Sequence, residues 1–207
     1  MHTTTRMSGR RARPFAVLAS LALIGGCGGG SSEPRPDAEG WLTLWNGTDF
    51  SGWTVLGDGN WRVEDGAIVV DQGNGTSFLV TERSFSDFEL ELEFWVNTEA
   101  NSGVFIRCAN PEAVDEQSCY EVNIYDTRPD QTYRTGSIMF VAEPAEFVYT
   151  GGQWNRYLIS AVGNRLKVTL NGRQMVDVED SKLSAGPIAL QHGTGTVKFR
   201  NIRIREL

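Results

Sequence analysis

Long apolar runs are scarce in this chain. The longest, FAVLASLALIGG at residues 15–26, has 12 residues, well short of the roughly 20 that a membrane-spanning helix needs. Helical periodicity is also missing: no window repeats its apolar residues at spacings of three and four over several turns. Cysteine is rare, with three in 207 residues, and there are only two histidines. Cys108 and Cys119, 11 residues apart with no histidine nearby, therefore do not form a zinc ligand set, and no metal is expected. Basic residues are in deficit. Four of the 19 lie within residues 1–26, so the remainder carries 15 bases against 26 acids, a formal −11. That balance argues against nucleic acid and anionic membrane surfaces as partners and fits a neutral ligand such as a sugar.

The first segment is an address. Four arginines and no acids precede the 12-residue apolar run, the pattern of a signal peptide over residues 1–26. The run ends in IGGC, which resembles the lipobox of bacterial lipoproteins, where the cysteine, here Cys27, is lipidated and becomes the new N-terminus. A plain secretory cleavage nearby would instead leave Cys27 as a spare thiol. The first reading places the protein in a bacterial cell envelope, lipid-anchored and facing the periplasm or exterior, with the membrane reached through the anchor alone. Residues 27–40, rich in Gly, Ser and Pro, read as a flexible tether, and residues 41–207 as one domain. Export puts Cys108 and Cys119 where thiols oxidise, so they are expected to pair. The closed loop constrains the unfolded chain by about 3 kcal/mol on the entropic account.

From Trp41 to Leu207 the chain is a succession of short β-rich runs, among them WLTLW, FELELEFWV, GVFIRC, YEVNIY, SIMF, LKVTL and VKFRNIRI. Asp65-Gly66, Gly163-Asn164 and Asn171-Gly172 punctuate them as turns. So many antiparallel strands in one domain must stack as two sheets or close on themselves, and an all-β jelly-roll sandwich is the expected architecture. In FELELEFWV, Phe88, Leu90, Leu92, Phe94 and Val96 should face inward, and Glu89, Glu91, Glu93 and Trp95 outward. An exposed Trp95 would be a stacking platform for a sugar ring unless a loop covers it.

The stretch CYEVNIYD at residues 119–126 raises the functional question. Tyr120, Val122 and Ile124 alternate onto one face, while the other carries Glu121, Asn123 and Tyr125. That polar row is either a solvated sheet face or a site that grips a sugar.

Nine segments, LWNGTDFSGW, WRVEDGAI, NSGVFIR, YEVNIYD, TGSIMF, GGQWNRYLI, LNG, GPIALQHG and FRNIRIREL, resemble in order the domain of unknown function 1080 family, described as 3-keto-disaccharide hydrolase. The resemblance runs from Trp41 to the C-terminus. It implies a concanavalin A-like jelly roll acting on glycosides whose C3 hydroxyl is oxidised to a ketone. The family usually has Gln where this chain has Asn123, and often an extra residue between Gln191 and His192. The ketone acidifies the proton on C2, so a base can remove it and the anomeric oxygen can leave. The resemblance thus points to Glu121 as base, Arg107 as partner of the enolate oxygen and His192 as general acid or second base. Asn123, Tyr125, Asp126 and Gln191 would be sugar contacts, and no cofactor is expected. Each has a structural alternative: Arg107 in an ion pair with Glu121, His192 bonded to a backbone carbonyl, Asp126 as a turn cap, Asn123 and Gln191 as sheet amides, Arg200 in surface ion pairs. A non-catalytic sugar-binding module is the rival function. A two-carboxylate glycosidase lacks its second acid on this strand. If Cys108 lay directly opposite Cys119, Glu121 would pair with Ile106. The core character of Val104 and Ile106 instead places the disulfide beyond the regular ladder.

Overall fold

Alternation along residues 88–96 shows how the chain is layered. In the computed structural model, Phe88, Leu90, Leu92, Phe94 and Val96 are all buried, as their period of two requires. The glutamates between them meet arginines on the neighbouring C-terminal strand. Arg200 Nε lies 2.7 Å from Glu93 and Arg203 Nη2 2.9 Å from Glu91, and Arg205 pairs with Glu89. Cross-strand pairs of this partly exposed kind contribute a few tenths of a kcal/mol each. Glu89, Glu93 and Arg200 therefore lie on a partly exposed, charge-matched sheet face, with Glu91 buried between Arg156 and Arg203.

The structure describes residues 1–4 and 35–207, so the apolar run, Cys27 and most of the tether lie outside the described residues. Thirteen strands are found among them: β1 (Leu42–Thr43), β2 (Trp53–Leu56), β3 (Arg62–Glu64), β4 (Ala67–Val70), β5 (Ser77–Thr81), β6 (Phe88–Val96), β7 (Ser102–Ile106), β8 (Tyr120–Ile124), β9 (Trp154–Val162), β10 (Arg165–Leu170), β11 (Arg173–Glu179), β12 (Ala189–His192) and β13 (Val197–Glu206). They form two antiparallel sheets. The larger runs β11-β10-β9-β6-β13-β4-β3, with β1 also on β13, and the smaller runs β2-β5-β12-β7-β8. Leu90, Phe94 and Ile204 from the first sheet and Val104, Val122 and Leu190 from the second belong to one buried cluster. The molecule is thus the jelly-roll sandwich expected.

Asp65-Gly66 and Asn171-Gly172 have both residues at positive φ, 51° and 70° in the first and 51° and 81° in the second. That is the requirement of the tight turn whose twist matches antiparallel strands. SIMF, expected as a strand, forms only bridges at Ile138. Its chain turns at Phe140, where φ is +60°, and a strand cannot continue through a left-handed residue.

Cys108 and Cys119 are joined in a disulfide. The ladder between β7 and β8 pairs Phe105 with Glu121 and Ile106 with Tyr120, so the bridge lies past its end, as the core character of Val104 and Ile106 requires. Intact-mass measurement with and without reductant should show a gain of two hydrogen atoms on reduction; two free thiols in protein from an oxidising compartment would contradict the bridge.

Candidate functional site

Because the small sheet buries Val104, Tyr120, Val122 and Leu190 against the other sheet, the alternate residues of its strands form the opposite face. Phe105, Val80 and Ala189 make a second apolar cluster there, covered in part by Val114 and the Cys108–Cys119 bridge. Beside it are the polar residues. Gly103 pairs with Asn123, Phe105 with Glu121, and the register of β12 carries Gln191 level with Gly103.

Gly103 decides the shape of this spot. A Cβ on it would lie 2.8 Å from Glu121 Oε1 and 3.2 Å from the Phe105 ring. The Glu121 side chain therefore lies across a space that only glycine leaves open. Glu121 is 6% exposed, and burial pushes its carboxyl up to about 8. The nearby Glu116 adds to the rise, and Arg128 partly offsets it. No described residue gives it a hydrogen bond that would favour the ionised form. Next to it, Gln191 Oε1 is buried without a partner, as is Arg128 Nε on the flanking loop. An acid poised near neutrality, an amide and a guanidinium with free bonding capacity can share a polar ligand and move a proton.

The structure brings only some of the residues read from the sequence to this spot. Glu121 and Gln191 are there. Asn123 shares the face but is 1% exposed, and its amide donates to the Tyr133 carbonyl. It anchors a loop, which is the sheet-amide alternative. Tyr125 follows the end of β8, half-buried, with its backbone N–H on Thr135 Oγ1 at 2.8 Å.

Four residues require correction. Arg107 does not face Glu121: its φ of +52° breaks the strand alternation and turns it into the protein, with no exposure. Its guanidinium donates to the carbonyls of Ser86 at 2.7 Å, Gly163 at 2.8 Å and Leu183 at 3.2 Å, and to Asp87 Oδ1 at 3.0 Å. Burial lowers its pKa, against the charge of Asp87. It ties loops together and is no enolate partner. His192 shares the parity of the buried Leu190, on the core side of β12. Its Nε2 lies 3.0 Å from the Gly195 carbonyl, the backbone-bonded alternative. Asp126 is filled by its own protein: Thr135 Oγ1 at 2.6 Å, Thr150 N at 2.7 Å, Thr150 Oγ1 at 2.9 Å and Gly151 N at 3.0 Å donate to it. It caps the loops around β8 and has no bond to spare for a sugar. Trp95 lies on the outer face of the other sheet, on the far side of the sandwich from Glu121, with Lys198 Nζ 5.2 Å from its ring centre.

Sequence reading missed Gly103 and Arg128. A glycine inside NSGVFIR was the available signal, since glycine in a strand interior marks close approach. Arg128 sits in a turn with no pattern to distinguish it.

The fold and this notch define an all-β jelly-roll sandwich with a carboxyl and an amide on the face of its smaller sheet. Residues 40–205 match the 3-keto-alpha-glucoside-1,2-lyase-like domain family, and the chain belongs to that family, which is carbohydrate-active. A 3-keto-disaccharide hydrolase of Bacteroides thetaiotaomicron is 34% identical over 80 residues, 33% of this chain and 28% of that protein; the chain thus matches little more than a quarter of this relative's length. Among solved structures, a candidate glycosyl hydrolase of Parabacteroides distasonis superposes with a TM-score of 0.72 at 22% identity, covering 82% of this chain and 95% of that one. The carbohydrate-binding module CBM66 of Bacillus subtilis superposes at 0.58 and 21% identity, over 78% and 98%. These two likenesses are of fold.

Proposed function

We propose that the domain cleaves glycosides carrying a ketone at C3, with Glu121 as the base that removes the C2 proton. The observation that carries this reading is the Glu121 carboxyl, raised to about 8 by burial, unbonded, and lying over Gly103. An acid with that pKa is a poor structural ion-pair partner and a suitable base at neutral to mildly alkaline pH.

The chemistry balances on the residues present. Glu121 in its ionised form takes the C2 proton, and the electron pair passes through the enolate of the C3 ketone. The C1–O bond then breaks, leaving a double bond between C1 and C2. Arg128, whose Nε–H has no partner among the described residues, is the donor for the enolate oxygen, and Gln191 Oε1 accepts from a sugar hydroxyl. The leaving oxygen takes up a proton, which protonated Glu121 or solvent supplies. Release at this stage is elimination; addition of water across the new double bond, hydroxyl to C1 and proton to C2, completes hydrolysis. Without the ketone the C2 proton is far too weakly acidic to remove.

Purified protein should therefore release the chromophore from a nitrophenyl 3-keto-glucoside and leave the parent glucoside intact. Turnover of neither compound, with affinity for the unoxidised glucoside, is the outcome that replaces this reading by a non-catalytic sugar-binding module.

The same proposal includes export and anchoring through Cys27, supported by the basic segment, the 12-residue apolar run and IGGC. Labelled palmitate should enter the wild type in cells and not Cys27→Ala. Equal labelling of both would remove the anchor.

A further inference from the structure

The turn at Phe140 is costly in two ways that folding does not explain. Its φ of +60° is a left-handed conformation ordinarily occupied by glycine or asparagine, and a bulky side chain there is strained. The ring is also 59% exposed, so the strain gains no burial. The turn itself is tightly made, with the N–H groups of Val141 and Ala142 bonded to the Ile138 carbonyl at 3.0 and 2.9 Å. Strain that persists at an exposed aromatic points to a role outside folding.

Its position ties it to the notch. The N–H of Met139, the preceding residue, donates to the Glu121 carbonyl at 3.0 Å. Across the turn, Phe140 packs edge-to-face on Tyr133, with ring centres 5.5 Å apart, and the Tyr133 carbonyl is held by the Asn123 side chain on the Glu121 face. The Tyr133–Phe140 pair is therefore a rim of the site. The loop closed by Cys108–Cys119 carries Glu116 and Val114 and no aromatic ring. The face over Gly103 is closely bordered, with Glu121 Oε1 2.8 Å and the Phe105 ring 3.2 Å from where a Cβ would stand. The remainder of a glycoside, the group leaving from C1, must extend over a rim.

We infer that Phe140, paired with Tyr133, is the platform for the leaving group and selects one with a flat, apolar ring face. This rests on the reading of Glu121 as base. Two chemistries present such a face, an aryl aglycone and a second sugar ring, and both stack on aromatic side chains.

The test compares kcat/KM of the wild type, Phe140→Gly and Phe140→Tyr on the methyl, nitrophenyl and glucosyl 3-keto-glucosides. Phe140→Gly keeps the turn, since glycine accepts positive φ, and its thermal midpoint should equal or exceed that of the wild type. The nitrophenyl-over-methyl ratio should fall about tenfold in Phe140→Gly, mostly through KM, and return in Phe140→Tyr, which keeps a ring. A parallel fall in the glucosyl-over-methyl ratio includes sugar leaving groups; no fall restricts the platform to aryl groups. Unchanged ratios for both in a folded Phe140→Gly overturn the inference. A concentration-dependent dimer that Phe140→Gly abolishes also overturns it, by making the pair a protein contact. Absence of turnover by the wild type on all three defeats the base reading instead. Calorimetric binding of nitrophenyl glucoside then decides the platform: weaker binding by Phe140→Gly supports it and equal binding overturns it.

Discussion

Glu121→Gln should lose 10²-fold or more in turnover of a 3-keto-glucoside while still binding it, because the amide fills the same space over Gly103 but is a very poor base. The same substitution should change how stability depends on pH. The Glu121 carboxyl stands near 8 in the folded protein against an ordinary 4.5. Below pH 4.5 it is protonated in both folded and unfolded chains and contributes nothing. Between 4.5 and 8 the unfolded chain has released the proton that the folded protein still holds, so stability falls as pH rises, and above 8 the full cost of a buried carboxylate is present. Each pH unit of that window costs about 1.4 kcal/mol, on the order of 5 kcal/mol in all. Glutamine carries no such cost. Thermal midpoints of the two proteins should coincide near pH 4 and diverge toward pH 9, with the variant the more stable. Activity of the wild type should rise over the same range and level off near pH 8, as the base form accumulates. A variant of unchanged turnover would take Glu121 out of the mechanism, and parallel stability profiles would contradict its buried, unbonded state.

Arg107→Met should be among the most destabilising single changes in the domain, by roughly 3–5 kcal/mol, or should prevent folding outright. The side chain has no exposure, and removing it strips donors from the carbonyls of Ser86, Gly163 and Leu183 and leaves Asp87 without its cation. Buried acceptors left unpaired are penalised separately from the lost bonds. Arg107→Lys retains the charge but not the planar fork that reaches all four groups, and should recover only part of the loss. Urea unfolding midpoints measure both. Turnover per folded molecule separates the structural from the catalytic role: Arg107→Lys should keep kcat near wild type. Wild-type stability with a collapsed kcat would return Arg107 to the reaction.

The strand pattern was legible because burial imposes a period of two. Once one face of FELELEFWV meets a core, Phe88 through Val96 declare it, and the glutamates between them need only solvent and the facing arginines. The hairpin turns were legible for an equally local reason, since Asp65-Gly66 and Asn171-Gly172 tolerate positive φ at both positions. The site was legible in part. Glu121 and Gln191 stand on the predicted face, but Gly103 becomes part of the notch only when β7 is laid between β12 and β8.

What the sequence determined by itself, then, was the alternation, the turns, the pairing of the two cysteines and the family. The tertiary structure alone decided which polar residues have bonding capacity left for a ligand. Asp126 and Arg107 look as reactive as Glu121 in the sequence. The first is saturated by Thr135, Thr150 and Gly151, and the second is turned inward by a single left-handed φ and saturated by loop carbonyls. His192 is one residue, and so one face, away from the site, and Trp95 is on the wrong sheet. The physical reason is common to all four. A side chain's chemistry depends on the donors, acceptors and solvent delivered around it, and those come from segments far along the chain that only folding brings together.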